Sequence, residues 1–390
     1  MIKVLHFSNK PAFPMVDGGC VAISSVLKSL LSSKNIDVFH FALSTHKHPF
    51  DASNYPETWC SRMKMDAQFI NTKTDLFGAV FHLFKNKSYN ISRFYDKKVS
   101  ARIEEIIKEQ NIEVVFCESI YTLPYIDLFK KYKLKIILRA HNVEHEIWKQ
   151  LGEQPGFLLK KWYYNKLSNQ LKRYELKQLK RVDGIIAISE EDALFFQQFE
   201  PNVRVTAIPT AVKTNFSEPD YKLNDFYFLG AMDWKPNQEG VDWLLKEVLP
   251  EGIKGSTLSI AGKSLAKNEI DHPSVICEGE VQNALNFIQS HGICLIPMHS
   301  GSGIKIKLLE NLAMGKPIIT TSEGVRGVDV EHNKEVMIAD DPESFREAMY
   351  TMHMESSKRK VLGQAGKKFV INNFGEEKIT RRLIAFIEEI

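Results

Sequence analysis

Residues 293–327 read ICLIPMHSGSGIKIKLLENLAMGKPIITTSEGVRG, and they combine residue types suited to holding an anion. An apolar run leads into Pro297, a Gly-Ser loop follows, and helical spacing then begins. Glycines let backbone amides approach a ligand, and the start of a helix favours negative charge. The amides of the Gly-Ser loop, Ser302 and Gly303 among them, are therefore candidate diphosphate contacts. Lys305 and Lys307 add positive charge at a helix end that normally favours acids, so they suit an anionic ligand better than helix stability. Glu310 lies seven residues beyond Gly303, two turns on and about 10 Å along the axis. That is the scale of a nucleoside diphosphate, and a carboxylate there can accept both hydroxyls of a ribose. Gly315 and then Pro317 end the helix as a left-handed cap and a following proline should. An ordinary glycine-rich βα turn without a ligand has the same pattern, and the residues alone leave both readings open.

The elements that must position these residues alternate along the chain. Apolar runs at Ile2–Phe7, Val38–Leu43, Val114–Cys117, Leu134–Leu138, Gly184–Ile188 and Val203–Ile208 are separated by helical stretches. The helical stretches include Val21–Leu31, Lys98–Gln110, Leu158–Arg181 and Glu190–Phe196. Residues 45–75 are polar and carry no clear period. A polar break near 213–224 precedes a second alternation with strands at Phe226–Leu229, Thr257–Ala261, Val275–Cys277, Ile293–Pro297 and Pro317–Thr320. Its helices are expected at Gly240–Val248, Asn283–Ser290 and Lys305–Met314, before a helical C-terminal stretch. Such alternation predicts α/β architecture with two doubly wound parallel sheets. The expected division is 1–215, 216–370 and a final helix over 371–390 that returns to the first domain. Open sheets of this kind bind ligands beyond the carboxyl ends of their strands, so the expected site is a cleft between two such edges.

Composition narrows the class. The chain has 390 residues, 44% hydrophobic and 25% charged, as in ordinary globular proteins. Its net charge of +3 gives no bulk attraction to nucleic acid. Five widely spaced cysteines without a CxxC pair argue against a disulfide framework or structural zinc, and fit a reducing cytoplasm. The start MIKVLHFSNK is too short an apolar run for a signal peptide, and no stretch approaches a spanning helix.

The 293–327 segment resembles the donor-binding signature of retaining GT-B glycosyltransferases of family 4. Glu310 matches the second glutamate of the family's Glu-x7-Glu, which holds the donor ribose, while Ser302 stands where the first would fall. The match is to a branch with Gly301, Gly303, Ile304, Lys305, Lys307, Leu309 and Glu310 in its pattern. The resemblance implies a GT-B fold of two Rossmann-like domains. It extends to Asp17-Gly18-Gly19, where Gly18 and Gly19 match the family's Gly-Gly loop, and to His141 in RAHNVEHEIW, which matches its histidine at the transferring sugar. In FLGAMDWK, Ala231 replaces the expected arginine and Lys235 lies close to the usual lysine. The activity implied is transfer of a sugar from a UDP- or GDP-type donor to an acceptor hydroxyl with retention, in polysaccharide or lipid-linked saccharide assembly. The nucleoside-diphosphate sugar is a co-substrate, and no further cofactor or metal is implied. HNVEH lacks the glutamate of a zinc helix motif.

Residues 158–181 are strongly basic with Trp162, Tyr163 and Tyr164 interleaved, and carry one acid, Glu175. This suits peripheral contact with anionic lipid, or a solvated outer helix whose lysine stems cover apolar surface. Two alternatives remain: a partner- or nucleotide-sugar-binding subunit without activity, favoured by Ser302 and Ala231, and a nucleotide-sugar 2-epimerase. A Rossmann dehydrogenase is disfavoured because neither half shows GxGxxG with an acid about 20 residues on.

Overall fold

A computed structural model of the chain describes residues 1–73, 88–153, 158–252, 255–301 and 304–390. It divides into two units, Met1–Ala211 with Ile379–Ile390, and Val212–Lys378. Each unit is built on a parallel sheet.

The first unit carries seven strands in the order β3-β2-β1-β4-β5-β6-β7. These are β1 Ile2–Ser8, β2 Ile36–Ser44, β3 Lys64–Phe69, β4 Val114–Glu118, β5 Lys135–Ala140, β6 Gly184–Ala187 and β7 Arg204–Ala207. The central strands are buried on both faces, which is why they read as continuous apolar runs. The helix Lys97–Gln110 covers one face with Val99, Ile103, Ile106 and Ile107, spaced for a single apolar stripe. Asp96 caps it by accepting the amides of Lys98 and Val99, and Asn111 ends it at φ 51°. Helix Gly18–Ser32 and the C-terminal helix Glu376–Glu388 cover the other face. Ile379, Leu383, Phe386 and Ile387 of the latter are buried, each contributing roughly 1.5–3 kcal/mol as an upper bound.

The second unit has six strands in the order β10-β9-β8-β11-β12-β13. They are β8 Phe226–Leu229, β9 Leu258–Ala261, β10 Val275–Gly279, β11 Ile293–Ile296, β12 Ile318–Thr320 and β13 Met337–Ile338. The helices Pro342–Met354 and Ser356–Phe374 follow, the first capped by Asp341.

Three elements depart from the periodicity. β3 lies inside the stretch that showed no period, because its side chains are only half-buried at the sheet edge and need not alternate strictly. The helix expected at Gly240 begins at Lys235, with Pro236 in its first turn, where a missing N–H costs nothing. β13 is only two residues long and was not legible as a strand.

Candidate functional site

Strand order reverses at one place in each sheet: between β1 and β4 in the first unit, and between β8 and β11 in the second. Chain leaving neighbouring strands in opposite directions opens a crevice there. Of the residues singled out from sequence, Gly18 and Gly19 follow β1, His141 follows β5, Lys235 follows β8, and Ile304, Lys305, Lys307 and Glu310 follow β11.

In the second unit, the loop after β11 leads into the helix Ile306–Ala313, and the loop after β8 leads into the helix Lys235–Trp243. Ser302 and Gly303 lie outside the described residues. Gly301 has φ 117°, a left-handed backbone that favours glycine, and a Cβ there would stand 3.2 Å from the Trp234 ring. Lys305 is the N-cap of helix Ile306–Ala313 but supplies no side-chain cap, and the first turn contains no acid. That leaves helix-start amides available to an anion. The helix ends in a paired turn: Gly315 N donates to Leu312 O and Lys316 N to Asn311 O, with Gly315 at φ 75°.

The lysines here have internal partners. Lys305 Nζ is 3.2 Å from both Glu323 Oε1 and Gly301 O, and burial lowers its pKa. Lys307 Nζ donates to Asn237 Oδ1 at 2.7 Å and stands 4.6 Å above the Phe228 ring. Desolvation lowers the Lys307 pKa to about 8, with Lys305 adding to the effect. Asn237 in turn donates from Nδ2 to Ala231 O at 2.7 Å. It thus ties the loop after β8, at Ala231, to the helix Ile306–Ala313. Lys235 is exposed and pairs with Glu239 at 3.3 Å, while Ser300 Oγ donates to the other Glu239 oxygen at 2.8 Å. Ile304 packs against a second apolar core. Glu310 is exposed, and its carboxylate has neither hydrogen bond nor ion pair among the described residues. Desolvation nonetheless raises its pKa.

In the first unit, Gly18 and Gly19 open the helix Gly18–Ser32. Asp17 caps it, accepting Cys20 N at 2.9 Å, and also takes Lys10 Nζ at 2.6 Å and His48 Nε2 at 3.0 Å. Burial opposes ionisation of Asp17, but these partners outweigh it and depress its pKa. A Cβ on Gly19 would meet Lys10 Nζ at 2.4 Å, whereas Gly18 faces open space. Asp17, Cys20 and His48 have converging ligand atoms, the one such group among the described residues. The Lys10 ammonium on Asp17 competes electrostatically with any cation there.

His141 follows β5. Its Nε2 lies 2.6 Å from Glu118 Oε2, at the end of β4. Glu118 Oε1 meets His6 Nε2 at 3.2 Å, His6 Nδ1 meets His40 Nδ1 at 3.0 Å, and His40 Nε2 meets Tyr55 Oη at 3.1 Å. All four groups behind His141 are buried. Burial works against the Glu118 charge, yet the buried Arg139 and the two histidines hold its pKa below the usual range. Sequence reading missed this row: the strand register puts His6, His40, Glu118 and Arg139 on one face of four neighbouring strands. Glu144 begins the next helix, bonded to Tyr121 Oη at 2.9 Å, and burial raises its pKa to about 7. The lone acid of the basic helix Leu158–Leu179, Glu175, is buried and accepts the amides of Glu144 and His145 at 3.2 and 3.4 Å. It is an N-cap borrowed from another helix.

Comparison with known proteins bears on the family and the fold. Residues 224–354 match the family model for glycosyl transferases group 1. A Klebsiella pneumoniae protein described as an uncharacterized 44.6 kDa protein in cps region is 24% identical over 97% of this chain and 98% of its own. The sucrose-phosphate synthase of Thermosynechococcus elongatus superposes with a TM-score of 0.73 over 100% of this chain and 99% of that one, at 11% identity. Anabaena HepE in complex with UDP-glucose superposes with a TM-score of 0.66 over 100% of both chains, also at 11% identity. The chain has the GT-B fold, and the family match in its second unit supports a group 1 glycosyltransferase.

Proposed function

We propose that the chain transfers a hexose or related sugar from a UDP- or GDP-type donor to an acceptor hydroxyl, with retention, in polysaccharide or lipid-linked saccharide assembly. The observation that carries this reading is the second unit's switch point. An uncapped helix start, a desolvated lysine and an unpaired carboxylate stand there on one loop-helix segment, inside the region that matches the family. HepE, of the same fold, is a UDP-glucose complex, and the relative from a cps region agrees with a role in saccharide assembly.

In this reading the helix-start amides near Gly303 and Ile304, with Lys305 and Lys307, take the charge that builds on the departing diphosphate. Lys307 donates one proton to Asn237 and keeps further donor capacity, since an ammonium has three. Ser302 and the neighbouring amides replace the missing first glutamate at the sugar, and Lys235 moves from Glu239 to the diphosphate. Glu310 accepts from the ribose, Gly18 and Gly19 offer amides, and His141 meets the transferring sugar. These fixed positive groups make a divalent cation unnecessary.

Lys161, Trp162, Arg173, Lys177 and Lys180 are exposed while Glu175 is buried, so this surface presents cations and one aromatic. That supports peripheral contact with anionic lipid at the cytoplasmic face. Among the described residues no helix is long and apolar enough to cross a membrane.

The test is transfer from UDP- and GDP-sugars to hydroxyl acceptors, with and without EDTA, the product anomer being read by NMR. Retained configuration with undiminished rate in EDTA supports the reading. Inversion, loss in EDTA, epimerised donor, or binding without transfer each contradicts a named part of it.

A further inference from the structure

The buried row behind His141 fixes where protons sit. Its two ends are independent and each dictates a direction. At one end, the Ala12 N–H, which can only donate, gives its hydrogen to Tyr55 Oη at 3.1 Å. The phenol has one hydrogen, and His40 Nε2 is the acceptor in reach of it among the described residues, so Tyr55 pairs that hydrogen by donating there. Burial pushes the Tyr55 pKa up to about 12 and the His40 pKa well below its ordinary value, so the phenol keeps its proton and this imidazole stays neutral. His40 must therefore donate from Nδ1 to His6 Nδ1, and His6 from Nε2 to Glu118. At the other end, an ionised carboxylate only accepts, and it demands hydrogen from His6 Nε2 and from His141 Nε2. Both ends thus give the same proton order, and no member of the row is left unpaired.

The backbone next to Glu118 is itself constrained. Ser119 has φ 78°, a left-handed conformation rare for serine, and it is buried. Strain of this kind persists only where the surroundings hold it, and it recurs at functional sites. Ser119 N donates to Arg139 O at 2.9 Å, and Thr122 Oγ1 donates to Ser119 O at 2.8 Å. Glu118 is therefore placed by the strand, by the turn after it, and by His6.

We infer that Glu118, backed by His6, is a positioning residue: it holds His141 with its proton on Nε2, so that Nδ1 offers a lone pair to a hydroxyl of the bound saccharide. The tautomer is a property of the protein alone; its use on a sugar hydroxyl rests on the transferase reading above. His141 Nδ1 has no partner among the described residues, and the ring is partly open to solvent.

The experiment is a long-range 1H–15N correlation spectrum of protein labelled at the imidazole nitrogens, with His141 assigned by the signal lost in His141→Gln. The expected wild-type spectrum shows His141 with a protonated Nε2 and a bare Nδ1. A proton on Nδ1 overturns the inference with no variant needed. Glu118→Gln should turn His141 into a mixture of tautomers, and an unchanged signal overturns the role of Glu118. In the transfer assay Glu118→Gln should lower kcat at least about tenfold, while donor KM stays within about threefold. An undiminished kcat overturns the proposed use of the lone pair. If wild-type protein shows no transfer at all, the function reading fails, and the spectrum still decides the tautomer.

Discussion

Replacing Lys307 by methionine separates binding from folding, because the two effects have opposite sources. Burial lowers the Lys307 pKa from 10.5 to about 8, which corresponds to about 3 kcal/mol by which the fold disfavours the ammonium. The unfolded chain holds this proton more tightly. The cost is therefore fully present below pH 8 and shrinks as pH rises from about 8 toward 10.5, so this group makes stability rise with pH across that window. Methionine keeps an unbranched stem over Phe228 and a sulfur that suits an aromatic face. It leaves Asn237 Oδ1 without its donor, a loss of about 1–3 kcal/mol. The relief and the loss roughly cancel, and unliganded Lys307→Met should unfold within about 2 kcal/mol of wild type. A lost charge-assisted hydrogen bond to a diphosphate, by contrast, is worth about 1.5–3 kcal/mol, or roughly a 10- to 150-fold rise in Kd. Denaturant unfolding and titration calorimetry measure the two quantities on one sample. Unchanged affinity in a folded variant would refute a role at the ligand. A loss of several kcal/mol in stability would show instead that Lys307 is chiefly structural.

Glu310→Ala should weaken nucleoside diphosphate binding and leave stability within about 0.5 kcal/mol, as for other surface changes. Because the pKa of Glu310 is raised, the wild-type ribose contact should fade as pH falls through that value, and a calorimetric pH series on Glu310→Gln should lack this component. Glu175→Ala strips the cap from the helix Glu144–Glu153 and the partner from His145, and should cost about 3–5 kcal/mol by denaturant unfolding. Gly240→Ala places a Cβ 2.3 Å from the Pro297 carbonyl oxygen. It should destabilise by about 1–3 kcal/mol in thermal unfolding, and loosen the contact between the two loops of the second unit.

The parts of this molecule that are legible in sequence are those whose physics is local. β8 and the central strands of the first unit announce themselves because burial on both faces makes them continuous apolar runs. The segment 293–317 is readable because glycine, helix period and a Schellman end occur in order along the chain. The Glu118 row is not, since its members come from residues 6, 40, 55, 118 and 141, and only strand order makes them neighbours. Within its own run, His6 looks like a polar interruption and Glu118 like the residue after a strand. The same holds for Glu175, which reads as a stray acid on a basic helix until the fold puts it under the helix Glu144–Glu153. Lys305 and Lys307 show the converse: their charges are plain in sequence, but their partners, Glu323 and Asn237, are supplied by distant segments.

The central claim is that the second unit's loop-helix segment binds a nucleoside diphosphate. Calorimetric titration of UDP, GDP, ADP and NAD into metal-free protein tests it most directly. Saturable binding of UDP or GDP in preference to NAD, weakened by Glu310→Ala, is the expected result. Binding of NAD alone, or of none of the four, would contradict it.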